Sequence, residues 1–133
     1  METTKEEKKV VLVEDDSLMS SILAAHLIKE GFTIVSVTNG TQAFERIQAE
    51  QPSIVLLDIV LPGVGGFDIL QKLKQEQSTK SIPVLILSNL GSKEEIQRGM
   101  ELGAEAYLVK ANSMVEEITK KVREILSRPI SNH

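Results

Sequence analysis

The chain has 133 residues, 41% of them apolar and 26% charged, with a net charge of −4. That composition fits one globular domain with its own core and argues against a nucleic-acid surface, which needs clustered Lys and Arg. Without cysteine there is neither a disulfide nor a thiolate metal site, and no apolar run approaches the roughly 20 residues of a membrane span.

The opening residues, M-E-T-T-K-E-E-K-K, lack the apolar region of a signal peptide, so a cytoplasmic chain with no membrane contact is expected. Residues 1–8 read as a polar N-terminal tail. Residues 10–13 form a continuous apolar run that stops at three acids, Glu14, Asp15 and Asp16. From Ser17 to Glu30, Leu18, Ile22, Leu23, Leu27 and Ile28 recur at helical spacing before Gly31. Residues 33–37, T-I-V-S-V, are a β-branched strand. Asn39-Gly40 reads as a turn, followed by a helix whose inner face is Ala43, Phe44 and Ile47 and which stops before Pro52.

Residues 54–57, I-V-L-L, do not alternate, as suits a strand buried on both faces. The run ends in Asp58, and Pro62 with Gly63, Gly65 and Gly66 then makes a sharply turning loop. Phe67, Leu70 and Leu73 mark the next helix, which ends in the polar stretch 75–81. Pro83 opens a strand over 84–87, where proline is tolerated. Ser92 with Glu95 is a capping box for a short helix ending near Gly103. Residues 105–109 form the fifth strand, reaching Lys110. Ser113 with Glu116 is a second capping box, and Met114, Ile118, Val122, Ile125 and Leu126 line a final helix stopped by Pro129.

Five strand–helix units without repeats predict an α/β fold: a five-stranded parallel sheet with five helices, doubly wound by right-handed crossovers. Five units are too few for an eight-stranded barrel, so the flavodoxin-like order 2-1-3-4-5 is expected. Glu14, Asp15, Asp58, Ser88 and Lys110 then lie at strand C-termini along one edge, at the crevice where such sheets bind ligands. Two unit charges about 5 Å apart repel by roughly 3 kcal/mol at an effective dielectric of about 20. Either one acid is kept protonated or a cation sits among them. All-oxygen donors favour Mg2+, or Mn2+ in its place. Acids, a divalent cation, a lysine and a hydroxyl around one carboxylate compose a phosphoryl-transfer site with its nucleophile in place.

Other polar residues have plainer readings. Asp16 is an N-cap for the first helix, a job Ser17 could also take. His26 is a structural or surface residue within that helix. Gly63, Gly65 and Gly66 suit a turn, because the Lys-Ser/Thr of a P-loop does not follow. Tyr107 reads as a half-buried strand aromatic.

V-V-L-V-E-D-D at 10–16, L-L-D-I-V-L-P-G at 56–63, L-S-N at 87–89 and G-A-E-A-Y-L-V-K at 103–110 resemble the receiver domain of two-component response regulators. The resemblance covers residues 9–128 and leaves 129–133 as a C-terminal tail. It implies that Asp58 accepts a phosphoryl group from a histidine kinase or phosphotransfer protein. Asp15 is then a direct Mg2+ ligand, Glu14 acts largely through a bound water, and the Val60 backbone carbonyl completes the metal site. Lys110 and Ser88 bind phosphoryl oxygens. Tyr107 rotates inward as Ser88 is drawn toward the phosphate, altering the surface of the fourth helix, fifth strand and fifth helix for a protein effector. The chain would be a phosphoacceptor assisting its own phosphotransfer and dephosphorylation, rather than a conventional enzyme. It would not bind DNA itself, and phosphorylation-dependent homodimerisation remains open.

Three departures from the family pattern stand out: Gly65 where many relatives have an acid, Ala111 where proline usually follows the lysine, and Ser88 where Thr is commoner. The resemblance also implies that Val60 and Leu90 influence phosphate loss; neither can orient an attacking water, so a long-lived phosphoryl group is expected. Two other readings compete. A small phosphatase or a nucleotide- or flavin-binding enzyme would want a second aspartate at position 60, a glycine-rich turn after the first strand, or more aromatics than Phe32, Phe44, Phe67 and Tyr107. A scaffold that works without phosphorylation would have no need of a complete acceptor site.

Overall fold

A computed structural model of the chain describes residues 8–128. Its strands are β1 (Lys8–Val13), β2 (Phe32–Val37), β3 (Ile54–Leu57), β4 (Val84–Ser88) and β5 (Ala106–Val109). The helices are α1 (Ser17–Lys29), α2 (Gly40–Glu50), α3 (Gly66–Gln75), α4 (Lys93–Glu101) and α5 (Val115–Leu126), with a 3-10 turn at Lys110–Asn112. All strand pairs are parallel and the order is β2-β1-β3-β4-β5, as expected from the alternation of strands and helices.

The period-2 geometry of a strand divides the core into two layers. Val11, Val13, Val55, Leu57, Val84 and Ile86 face one side with Ala43 and Ile47 of α2 and Ile69, Leu70 and Leu73 of α3. Val10, Leu12, Ile54, Leu56, Leu85 and Leu87 face the other with Leu23 and Leu27 of α1 and Ile118, Val122 and Ile125 of α5. Burial on both faces explains why the central strands read as unbroken apolar runs.

Local details correct the sequence reading at several points. Lys8, expected in the N-terminal tail, begins β1 and pairs with Phe32; the rest of that tail, Pro129 and the C-terminal tail lie outside the described residues. Asn39 and Gly40 are the N-cap and first residue of α2 rather than a separate turn, because the Asn39 side chain accepts the Gln42 N–H at 3.2 Å. Glu105 precedes β5. The capping of α5 is displaced by one residue: Met114, not Ser113, is the N-cap, and its N–H donates to Glu117 Oε1 at 2.8 Å. Ser113 is held instead by its N–H to the Lys110 carbonyl at 3.2 Å, closing the 3-10 turn. Asp16 caps α1 through Leu18 and Met19, and Ser92 with Glu95 caps α4, as read. Among the described residues no helix is long and apolar enough to cross a membrane.

The connection from α3 to β4 is tied down by side chains that sequence patterning does not reveal. The buried Thr79 hydroxyl donates to the Leu73 carbonyl at 2.7 Å, and Lys74 Nζ donates to the Lys80 and Ile82 carbonyls. Thr79→Val is expected to lose about 1 kcal/mol, the net worth of one such bond. Urea unfolding measures this, with the slope unchanged.

Candidate functional site

The register of the sheet places the acids. Val13 of β1 pairs with Leu57 of β3, so the residues that follow, Glu14 and Asp58, leave adjacent strands side by side. Asp58 N–H donates to the Val13 carbonyl at 3.0 Å, and Glu14 N–H to the Val37 carbonyl at 2.9 Å. Both backbones are thus fixed before their side chains meet anything. Ser88 pairs with Val109 across β4 and β5, which puts Lys110 one residue beyond.

Lys110 Nζ lies 2.5 Å from Glu14 Oε1 and 3.0 Å from Asp58 Oδ2. Glu14 is 2% and Asp58 5% exposed, so two nearly buried acids share one cation. Their other oxygens are also engaged. Glu14 Oε2 accepts the Asp16 N–H at 3.0 Å, and Asp58 Oδ1 accepts the Val60 N–H at 3.3 Å. Burial raises Glu14 above the ordinary glutamate range, against the pull of Lys110 and the Asp16 amide. Burial by itself would lower Lys110, but its hydrogen bonds to Glu14 and Asp58 outweigh that and hold it above the ordinary lysine range.

Asp15 faces solvent at the mouth of the cleft, and carboxylate oxygens of Glu14, Asp15 and Asp58 lie within 4.8 Å of one another. Three acids against one lysine leave a net negative, all-oxygen cluster of the kind that suits a hard divalent cation. The cleft encloses about 390 Å3 and is lined by Glu14, Asp15, Asp16, Asp58, Val60, Asn89 and Lys110. Asn89 stands in the L-S-N motif at 87–89, but the sequence assigns it no role. Its position directly after the strand-end Ser88 was the available signal.

Ser88 and Tyr107, also expected at the site, lie beside the cleft without lining it. Ser88 is wholly buried, and its hydroxyl accepts the Leu90 N–H at 3.2 Å. Tyr107 packs against the α2–α3 layer of the core and donates its hydroxyl to the Leu90 carbonyl. Burial raises the Tyr107 phenol above its usual range, opposed by the neighbouring Ser88 hydroxyl. The Lys110–Ala111 bond is trans, as are all peptide bonds among the described residues.

The chain matches the response regulator receiver domain family over residues 10–123. It is 34% identical over 120 residues to the phosphate regulon transcriptional regulatory protein PhoB of Rhizobium meliloti (strain 1021), covering 90% of this chain and 52% of that protein. It is likewise 34% identical over 120 residues to the transcriptional regulatory protein CusR of Escherichia coli (strain K12), with the same coverage of 90% and 52%. The chain thus spans about half the length of the curated relatives it matches. Among solved structures, the BeF3-activated N-terminal receiver domain of Klebsiella pneumoniae RstA superposes with a TM-score of 0.84 at 31% identity, over 91% of this chain and 100% of that one. The non-phosphorylated HemR receiver domain from Leptospira biflexa, at 24% identity and a TM-score of 0.86 over 96% of this chain and 100% of that one, shares the fold. With five parallel strands in the order 2-1-3-4-5 and a lysine between two strand-end acids, the chain belongs to the receiver domain family of two-component response regulators.

Proposed function

We propose that Asp58 is the phosphoacceptor of a phosphorelay, taking its phosphoryl group from a phosphohistidine on a sensor kinase or phosphotransfer protein. The observation that carries this reading is the pairing of Lys110 with both Glu14 and Asp58 at the floor of an acidic cleft. In the transfer, an Asp58 carboxylate oxygen attacks phosphorus and the P–N bond of the donor breaks. The electron pair goes to the imidazole nitrogen, and the ring leaves neutral with a proton on its other nitrogen. Asp58 is anchored by its own N–H, so the nucleophile is held in place for in-line attack.

Asp15, Asp58 and the Val60 carbonyl would hold Mg2+, or Mn2+ in its place, with Glu14 acting through a water. Bound there, the cation offsets negative charge on the transferring phosphoryl oxygens. Lys110 exchanges its contact with Asp58 Oδ2 for one with a phosphoryl oxygen, and Ser88 turns its hydroxyl from the Leu90 amide toward another. Tyr107 then leaves the Leu90 carbonyl and rotates inward, changing the face of α4, β5 and α5 that an effector protein reads. A bias of about 1–3 kcal/mol suffices for such coupling.

The donor's landing surface is supported by the flank of the cleft. Leu18 of α1 is 70% and Met114 69% exposed, and a groove lined by Met19, Ile22, Ala25 and Met114 runs up to Lys110. An apolar rim beside a charged cleft fits a helical donor that presents one histidine to Asp58.

Incubation with Mg2+ and acetyl phosphate tests the acceptor. The intact protein is expected to gain one phosphoryl group by mass spectrometry, and Asp58→Asn to gain none; an unmodified wild type overturns the reading. Val60 is 58% exposed at the edge of the cleft and offers no hydrogen bond to water, so the phosphoryl group should be long-lived. Val60→Asn is expected to release it several-fold faster in a time course, and Leu90→Glu to add to that. Lys110→Met leaves Glu14 and Asp58 facing each other without a cation and is expected to cost about 3 kcal/mol in urea unfolding, part of which added Mg2+ restores. Because Glu14 is raised, protons compete for the cluster above the usual carboxylate range. Mg2+ affinity, titrated at a series of pH values, should therefore begin to fall while the pH is still above that range.

A further inference from the structure

The loop that carries Val60 is shaped by α2, which packs in the same core layer as α3. Gly40 is the first residue of α2, and its N–H, one of the donors that a helix start leaves without an intrahelical partner, donates to the Pro62 carbonyl at 2.9 Å. A methyl placed on Gly40 would sit 1.7 Å from the Val64 carbonyl oxygen and 2.6 Å from its carbon. The obstacle is backbone, so no change of side-chain rotamer relieves it. One residue on, Gly63 adopts φ +84°, and a methyl there would come within 2.2 Å of Thr41 Oγ1. At the loop's other end, Gly66 N–H donates to the Ile59 carbonyl at 2.9 Å, and a methyl on Gly66 would meet the Asp58 carbonyl oxygen at 2.4 Å. The segment from 59 to 65 is therefore pinned between α2 and its own base, with Val60 in the span between the two contacts.

We infer that Gly40, although outside the acid cluster, is a positioning residue for the metal-binding loop: its missing side chain lets α2 act as the wall that fixes where the Val60 carbonyl points. This rests on the proposed role of that carbonyl as a metal ligand. Asp58 and Glu14 are anchored separately, through the Val13 and Val37 carbonyls. A side chain at position 40 should displace the loop while leaving the acids and Lys110 in place. Its signature is a loss of cation affinity in a protein whose fold and acid–lysine pairing persist.

Mn2+ titration followed by the electron paramagnetic resonance of free Mn2+ tests this on the whole chain without any phosphodonor. Gly40→Ala, checked for fold by circular dichroism well below its melting point, is expected to bind Mn2+ at least about tenfold more weakly, the scale typical of groups that support metal ligands. A folded Gly40→Ala with affinity within about twofold of wild type overturns the inference. Should Gly40→Ala fail to fold, a double-mutant cycle decides. Gly63→Ala is expected to cost more affinity with Thr41 present than in a Thr41→Ala background, because the clash is with the α2 side chain. Equal losses in the two backgrounds would assign the effect to Gly63 backbone strain alone and overturn the role of α2. A wild type that takes up no Mn2+ removes the proposed metal site itself, which distinguishes that failure from failure of the Gly40 argument alone.

Discussion

Two nearly buried carboxylates around one ammonium are the constraint on which the rest of this structure depends. Burial of either acid alone would be expensive, and a lone lysine between them neutralises only one charge. The cluster with Asp15 thus remains a net anion. That residual negative charge, carried by oxygen donors within 4.8 Å of one another, suits the cleft to a hard divalent cation. The price of holding such a cluster is met by the sheet. Backbone hydrogen bonds from Asp58 to Val13 and from Glu14 to Val37 fix both acids independently of the ion pair.

The helices differ in how firmly the core holds them. α3 buries Ile69, Leu70 and Leu73, and α5 buries Ile118, Val122 and Ile125, but the one buried residue of α4 is Gly99. That glycine lets α4 approach Ile86 and Tyr107 directly, since a methyl there would sit 2.6 Å from Ile86 Cδ1 and 3.0 Å from Tyr107 Cδ2. Arg98 stacks over the Phe67 ring at 4.6 Å. A helix held by a glycine contact, a capping box and one cation–π pair gives up little apolar burial when it shifts. It is also the element that Tyr107 must disturb if that ring rotates, so the weakest-packed helix coincides with the surface proposed to signal.

The sequence disclosed those features that depend on residue order along one element. The unbroken runs at 10–13 and 54–57 revealed strands covered on both faces, and an acid ending each run marked the functional edge. Spacing along the chain also revealed the Ser92–Glu95 cap, because its partners are three residues apart. It could not reveal contacts decided by tertiary packing. The Val13–Leu57 register that sets Glu14 beside Asp58, the fit of Gly40 against Val64 and the tie from Thr79 to Leu73 all join residues from different elements. The displaced cap of α5 has a local cause. Ser113 offers a better capping side chain than Met114, but its N–H is already committed to closing the 3-10 turn after Lys110, so the helix starts one residue later. Ser88 and Tyr107 were placed on the right strands, yet their present partner is Leu90, a backbone contact that side-chain identity does not encode.

That 3-10 turn also explains how Lys110 reaches both acids with Ala111 after it instead of the proline common in the family. Proline would stiffen the chain at this point by fixing its own φ. Here the same segment is held by the Ser113 N–H to the Lys110 carbonyl, by β5 pairing up to Val109, and by the Met114–Glu117 contact that starts α5. The lysine backbone is thus bracketed between the strand end at Val109 and the helix start at Val115. What remains free is the aliphatic stem of Lys110, and its direction is set by the two carboxylates that its ammonium joins. Its aim therefore depends on charge more than on the neighbouring peptide bond. An aim set by charge can pass from a carboxylate to a phosphoryl oxygen by a change of side-chain rotamer, without any movement of the sheet that carries it.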